Sequence, residues 1–474
     1  MQRSPLFLLL LPVFYVLHVC NEFYGIISLA IAVKFILFIL LAEAIVMCAC
    51  WLYFRDRLKA AVFTFILFSA YLFFGTVKDL VRYRIIIPAL LILFLLLLFY
   101  LKRTGIRFQK LFLYLNLLLL ILAAVSVFQF RNSLDHAKNG LAEKRVEKFV
   151  KCDSCNKPDI YFIILDEYSG RRSLENKMDF SNDAFISGLE QRGFKIISSS
   201  SSNYNSTPFS IASMLEMNYL PLKMESKEAG NLPLALYTIC NNRFTSVLKK
   251  QGYDIINLSS LTINESNGLI KEGFIPSPMR ILNGQTLTGR LARDIRYDLI
   301  TGKKQNNRML KNIIYKEKEN NEEIIRHMVS SNQHPAFILA HLMLPHSPFY
   351  YDSAGNLRSL TLLTKKGENE KAYLDYLKYA NGKILSITDS ILLRSARPPV
   401  IVLVSDHGYR RHNDPMDSLT CFNNLMAIYL PDSNYIGFYQ SMSDVNLGRI
   451  LVNKLFAQQW PLLKDSSVYL WKPD

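Results

Sequence analysis

Charge is scarce in this chain: charged residues make up 20% of it, against 50% hydrophobic residues, and the mean hydropathy is +0.13. A disordered or collagen-like chain is excluded by that balance. Cysteine is also sparse. The single C-x-x-C, Cys152 with Cys155, lacks the second pair that a zinc ribbon needs. It precedes a strand-like run instead of following one, so a thioredoxin-type redox motif is not expected, and a structural disulfide in an oxidising compartment is. Cys20, Cys48 and Cys50 lie in or beside apolar segments, and Cys240 and Cys421 stand alone. No internal repeat occurs. Basic stripes interleaved with aromatics are missing outside Lys303 to Lys318, which carries its own glutamates, so nucleic acid is not an expected partner. The net charge of +16 has another origin. Residues 1–131 hold 13 Lys and Arg against 4 Asp and Glu, so more than half of the excess lies among apolar segments.

Five such segments, near 5–20, 27–53, 60–77, 85–101 and 111–129, approach or exceed the roughly 17–25 residues that span a bilayer core. Ile85 to Leu101 carries no charge and one proline, Pro88. The first segment lacks a small-x-small cleavage site, and Val19 is too bulky for lipoprotein cleavage at Cys20, so it is expected to stay as a helix. Arg3, Arg55, Arg57, Lys59, Lys102, Arg103, Arg107 and Lys110 fall on one side of the resulting topology, and Lys78, Arg82 and Arg84 on the other. The positive-inside rule then puts the amino terminus in the cytoplasm and everything after Phe130 outside. Lys34 is expected to snorkel to the interface. Glu43, inside the same segment, has either a functional or a paired role.

Residues 132–157 are polar and helical in pattern, a stalk or linker, and a new character begins at Asp159. Ile160–Leu165, Ala336–Leu344, Val400–Val404 and Leu425–Leu430 are continuous apolar runs of the kind buried on both faces of a sheet. Amphipathic helical stretches alternate with them, at Asn182–Arg192, Phe244–Gln251, Lys371–Leu393 and Val445–Phe456. The expected architecture is an α-helical membrane domain over 1–131, a linker over 132–157, and an α/β domain with a mostly parallel central sheet over 158–474.

Ligands of such sheets sit at the carboxyl ends of strands. There the chain carries Asp166 and Glu167, then Pro345 and His346 with His341 five residues earlier, then Ser405, Asp406, His407 and Gly408. Any one of these could be a turn, a cap or a structural histidine. Together at one sheet edge they form a candidate divalent-metal site. A hydroxyl-rich loop, Asn203 to Ser206, leads through Thr207 and Pro208 into an apolar helix. Ser206 or Thr207 could cap that helix. A hydroxyl there also faces the free N–H groups and positive dipole that favour phosphate, so the two roles are compatible.

With these residues in view, Pro158 to Pro461 resembles the alkaline phosphatase and sulfatase superfamily, and within it the lipoteichoic acid synthase and lipid A phosphoethanolamine transferase branch, whose members also carry a five-helix anchor. The family strand ending in an acidic ligand matches Asp166, its S-D-H-G pair matches Ser405 to Gly408, and its H-x-x-x-x-H-x-P matches His341, His346 and Pro348. Its nucleophile falls on Thr207 when aligned on Ala212-Ser213-Met214-Leu215, and on Ser206 when aligned on proline alone. Threonine cannot yield the formylglycine of sulfatases, and Ile211 replaces their arginine, so the phosphotransferase branch is favoured. Glu167 departs from it, since sulfatases have a second carboxylate there.

The resemblance implies one divalent ion, zinc, manganese or magnesium, held by Asp166, Thr207, Asp406 and His407, with Glu167 as a further ligand. It implies attack by Thr207 on a phospholipid diester, with His346 assisting and His341 and Ser206 near the substrate. A phosphoethanolamine or phosphoglycerol head group would pass to an envelope glycan or lipid outside a bacterial cytoplasmic membrane. The alternatives are a sulfatase-like hydrolase or phosphodiesterase, and an inactive membrane-anchored binding protein.

Overall fold

The computed structural model describes residues 4–106, 108–222, 228–264, 266–270, 277–300, 307–328, 334–363, 370–410 and 417–470. Arg3, Arg107 and the start of the Lys303 to Lys318 segment lie outside the described residues. The helices before the sheet are α1 (Leu6–Glu22), α2 (Leu29–Phe54), α3 (Arg57–Leu72), α4 (Phe74–Lys78), α5 (Tyr83–Arg103) and α6 (Gln109–Lys144). There follow β1 (Ile160–Leu165), α7 (Arg171–Met178), α8 (Asp183–Gln191), β2 (Lys195–Ile196), α9 (Thr207–Glu216), α10 (Glu228–Cys240), α11 (Arg243–Gln251) and β3 (Asp254–Leu258). The short β4 (Thr262–Ile263) and β5 (Ser266–Asn267) precede α12 (Pro278–Asn283), α13 (Leu287–Ile300), α14 (Asn307–Met328) and β6 (Ala336–Leu342). Last come α15 (Leu360–Leu363), α16 (Glu370–Arg394), β7 (Val400–Ser405), α17 (Ser418–Phe422), β8 (Met426–Tyr429) and α18 (Asp444–Phe456).

Two compact units result, Met1–Lys138 with Pro276–Asp298, and Asn139–Ile275 with Leu299–Asp474. In the first, helices occupy all five apolar stretches. Those of α2, α5 and α6 are long and apolar enough to cross a membrane, and α1, with 17 residues, is a shorter apolar helix. The Asp56 carboxylate caps α3 by accepting from the Leu58 N–H at 2.8 Å, satisfying a group the helix itself cannot. Asn116 is fully buried in α6, where its carbonyl oxygen accepts from the Phe7 N–H at 2.7 Å and its amide donates to the Ser4 carbonyl at 2.9 Å. A polar residue among apolar helices thus ties down the start of α1. Lys34 is exposed on α2, whereas Glu43 is buried and neither of its carboxylate oxygens accepts a hydrogen bond.

Pro276–Asp298 belongs to this unit although it is encoded between β5 and β6. The Tyr15 hydroxyl donates to the Leu282 carbonyl at 2.6 Å, the Gly75 N–H to the Gln285 carbonyl at 2.8 Å, and the Tyr83 hydroxyl to Asp294 at 2.7 Å. Lys78 pairs with Asp294 at 3.2 Å, and Arg290 pairs with Asp79. The approach is close: a Cβ at Gly75 would lie 1.9 Å from Gln285 Oε1, so any larger residue there has to displace that side chain. The sequence pattern gave no sign of this segment's placement.

In the second unit a six-stranded sheet runs in the order β2-β8-β7-β1-β6-β3. β7, β1, β6 and β3 are parallel; β8 joins β7 antiparallel, and β2 pairs antiparallel with β8 at the edge, so five of the six strands share one direction and the sheet is mostly parallel, as its continuous apolar strands predict. Every residue of β1, β6 and β7 is buried. The register places Leu165 beside Leu342 on one side and Ser405 on the other, so the loops that follow β1, β6 and β7 leave the sheet side by side.

The expected linker, 132–157, is not a free segment: α6 ends at Lys144, and the residues from Asn139 onward belong to the second unit. Arg145 makes a bidentate pair with the buried Glu216 at 2.6 and 2.7 Å, and Glu147 pairs with Arg243 and Arg449. Cys152 and Cys155 form a disulfide. Burial acts to raise the Glu147 carboxyl, but hydrogen bonds from Arg243 and Arg449 outweigh it and bring its pKa down to about 2. A carboxyl depressed by folding contributes stability above its ordinary pKa and loses it as pH falls. Glu147→Gln is therefore expected to lower the unfolding temperature at pH 7, and the difference from the native protein should shrink between pH 4.5 and 2. Thermal unfolding followed by circular dichroism across that range checks this.

Candidate functional site

The site is built where β1, β6 and β7 end. The Asp166 N–H donates to the Leu342 carbonyl at 3.0 Å, extending the β1–β6 pairing by one residue and turning the carboxylate onto the sheet edge. His341 sits on β6 opposite Ile164, and its Nε2 lies 3.0 Å from Asp166 Oδ2. Asp406 follows β7, and its Oδ1 accepts from the N–H groups of Glu167 and His407 at 3.0 and 2.9 Å. Asp166, His341 and Asp406, all buried, each offer one ligand atom within 4.8 Å of the others.

Thr207 is the first residue of α9, with Ser206 at the N-cap and Pro208 behind it. The fixed φ of proline suits the first turn of a helix and sacrifices only an N–H that has no partner there. Ser206 holds the cap position without a side-chain cap hydrogen bond. Thr207 Oγ1 lies 3.3 Å from His407 Nε2, which is itself 3.3 Å from Asp406 Oδ2. The other ring nitrogen, His407 Nδ1, donates to the Gly408 carbonyl at 2.8 Å, which fixes the ring and directs Nε2 at this cluster. Gly408 permits the turn, because a Cβ would fall 2.2 Å from the Thr420 carbonyl oxygen and 2.7 Å from that of Asn423.

Glu167 has φ +62°, a left-handed conformation costly for a residue with a side chain. The Tyr373 hydroxyl donates to its carbonyl at 3.0 Å and accepts from the Ser169 N–H at 3.0 Å, fixing the turn from α16. His346 Nε2 lies 3.9 Å from both Asp166 Oδ1 and Glu167 Oε2. All the residues expected at the site, Asp166, Glu167, Ser206, Thr207, His341, His346, Asp406 and His407, thus lie at or beside one sheet edge. Burial alone would raise the Asp166 carboxyl, but His346, His341 and His407 around it hold it below the usual carboxylate range. Burial would lower His346, and Asp166 with Glu167 reverse this and raise it.

The donor set suits a divalent ion. Asp166 Oδ1 and Asp406 Oδ2 are buried and accept no hydrogen bond, a costly state for carboxylate oxygens that a cation would relieve. Oxygen and imidazole ligands fit zinc, manganese or magnesium.

Further residues support the site, and of these Ser405 is marked in the sequence by the S-D-H-G motif, whereas Asn424, Asp444 and Arg410 are not. Ser405 Oγ accepts from the Tyr168 N–H at 2.9 Å and donates to the His407 carbonyl at 2.7 Å, clasping the two acidic loops together. Asn424 donates to the Ser405 carbonyl at 2.6 Å and to both oxygens of Asp444, whose carboxyl is pushed well up by burial. Arg410 reaches Glu167 Oε1 at 3.7 Å and donates through Nη1 to the Asn205 carbonyl at 3.3 Å.

No family model matches the chain, and no curated protein matches it significantly. Solved structures do. The C-terminal periplasmic domain of EcEptC from Escherichia coli is similar at 12% identity and a TM-score of 0.39, over 65% of this chain and 84% of that one. The same domain in complex with Zn gives 11% identity and 0.39 over the same shares. The periplasmic domain of the phosphoethanolamine transferase EptC from Campylobacter jejuni gives 13% identity and 0.36, over 65% and 92%. Their TM-scores are low, and the function proposed below rests on the residues of the site.

Proposed function

We propose that the protein is a metal-dependent, membrane-bound phosphotransferase that moves a phospholipid head group to an envelope glycan or lipid through a phospho-Thr207 intermediate. One observation carries this: a threonine hydroxyl at a helix N-terminus, 3.3 Å from His407 Nε2, beside buried carboxylate oxygens of Asp166 and Asp406 that accept no hydrogen bond.

Asp166, Asp406, His407 and the Thr207 hydroxyl would hold the ion, with Glu167 and His341 within reach. When bound, a divalent ion lowers the pKa of a coordinated hydroxyl and neutralises phosphoryl charge. Thr207 Oγ forms the new P–O bond in line as the P–O bond to diacylglycerol breaks. His346, raised by its carboxylate neighbours, is placed to give a proton to the departing oxygen and to hydrogen-bond the phosphoryl group. The acceptor hydroxyl then displaces Thr207. Attachment to the bilayer supplies the proximity that a lipid donor requires. The asymmetry of the loop charges supports an amino terminus in the cytoplasm and a catalytic unit outside a bacterial inner membrane.

Glu167 favours a second reading, a phosphodiesterase or sulfatase-like hydrolase that passes its intermediate to water, because its carboxylate stands at the site beside His346. One measurement separates the two. The full-length protein in detergent is incubated with phosphatidylglycerol or phosphatidylethanolamine and its intact mass is recorded. An adduct on Thr207 that waits for an acceptor is the expected result, and its mass names the head group. Rapid release to water without an acceptor supports the hydrolase, and no adduct or product from either lipid removes the transferase.

A further inference from the structure

The same logic that points to a cation on one side of the site points to an anion on the other. Asp166 Oδ1 and Asp406 Oδ2 are buried acceptors without donors; Asn205 Nδ2 is a buried donor without an acceptor. Asn205 is fully buried, two residues before Thr207. Its amide orientation is fixed, because Oδ1 accepts from the Leu470 N–H at 3.0 Å, so Nδ2 is the group left over. A buried donor that bonds to nothing is costly, and an oxygen-rich ligand removes the cost. The carbonyl of the same residue accepts from Arg410 Nη1 at 3.3 Å. The guanidinium is further held by Glu167, 3.7 Å from Nε, and the Arg410 N–H donates to the same carboxylate at 3.3 Å. Its side chain remains 28% exposed, so it is both positioned and reachable.

Charge makes the need for these groups concrete. Asp166, Glu167 and Asp406 bring three carboxylates to the sheet edge, and a phosphate-bearing substrate must approach them. We propose that Arg410 and Asn205 form the anion-binding side of the site and take the non-bridging oxygens of a phosphodiester or related tetrahedral oxyanion. The guanidinium fork suits two such oxygens, and the amide supplies a neutral donor beside the nucleophile. The identity of the anion as a lipid phosphodiester rests on the transferase proposal; the anion site does not.

The test uses the full-length, metal-bearing protein in detergent, with inorganic phosphate as the probe in a calorimetric titration. Arg410→Ala and Asn205→Asp should each weaken phosphate binding by about 10- to 100-fold, the usual worth of a hydrogen bond to a charged group. Arg410→Lys should recover part of the loss. Asn205→Asp retains an acceptor for Leu470 but replaces the amide donor with a buried acid, so its loss of affinity combines the missing donor with charge repulsion, and metal content and unfolding temperature are measured alongside to register any wider effect. Unchanged phosphate affinity in both variants overturns the proposal, and so does a native protein that binds no phosphate. Native binding with the expected losses, but no lipid turnover, removes the transferase function and leaves the anion site standing.

Discussion

Replacing Thr207 with alanine is expected to abolish adduct formation and reduce head-group transfer by at least ~10⁴-fold, the scale seen when a nucleophile is removed. That factor corresponds to about 5.5 kcal/mol of lost barrier lowering. Folding should survive, because the hydroxyl has no cap role: α9 starts with Ser206 at the N-cap, and Thr207 Oγ1 faces His407. Ser206→Ala should keep activity within about tenfold, since losing a residue at the N-cap costs a helix on the order of 1 kcal/mol. The measurement is transfer of labelled head group from lipid to acceptor, with intact mass alongside. An active Thr207→Ala protein paired with a dead Ser206→Ala protein would place the nucleophile one residue earlier.

Asp406→Asn should have the second large effect, on metal retention. One carboxylate of the cluster becomes a neutral amide, and affinity for the ion should fall by at least ~100-fold, the upper end of what even indirect ligand partners contribute. Metal analysis of the purified protein by mass spectrometry checks it. The same substitution should leave the metal-free protein at least as stable as metal-free native protein. Oδ2 of Asp406 accepts no hydrogen bond, whereas an amide nitrogen in its place could donate to His407 Nε2, now 3.3 Å away. A variant that loses its metal and also unfolds earlier would indicate that Asp406 serves the fold, not the ion.

How much of this was written in the sequence depends on the kind of contact involved. Strands β1, β6 and β7 were legible because burial on both faces forces a continuous apolar run, and their ends were legible because acidic and imidazole groups interrupt it. β3 was not. Its residues, Asp254–Leu258, begin with an aspartate and are only partly buried at first, so the pattern of a central strand is diluted at this sheet edge. β8 read like its parallel neighbours, since burial does not encode direction. Tyr373, Asn424 and Asn205 were invisible for another reason. Each acts through hydrogen bonds to residues distant in sequence, and no local period marks such a residue. Arg410 stood next to the S-D-H-G motif yet drew no attention, because an arginine after a turn is ordinarily a solvated side chain.

Pro276–Asp298 makes the first unit discontinuous in sequence, and this has a consequence for the order of synthesis. Helices α1 to α6 leave the ribosome early, yet Tyr15, Gly75, Asp79 and Tyr83 find their partners only when residues 276–298 have been made. Domains fold as units during synthesis, amino-terminal first. Here the first unit to begin folding cannot finish from its own continuous stretch, and its completion waits on a segment encoded within the second. A chain interrupted after Lys138 would leave those four residues without their partners, and one begun there would carry α12 and α13 without theirs.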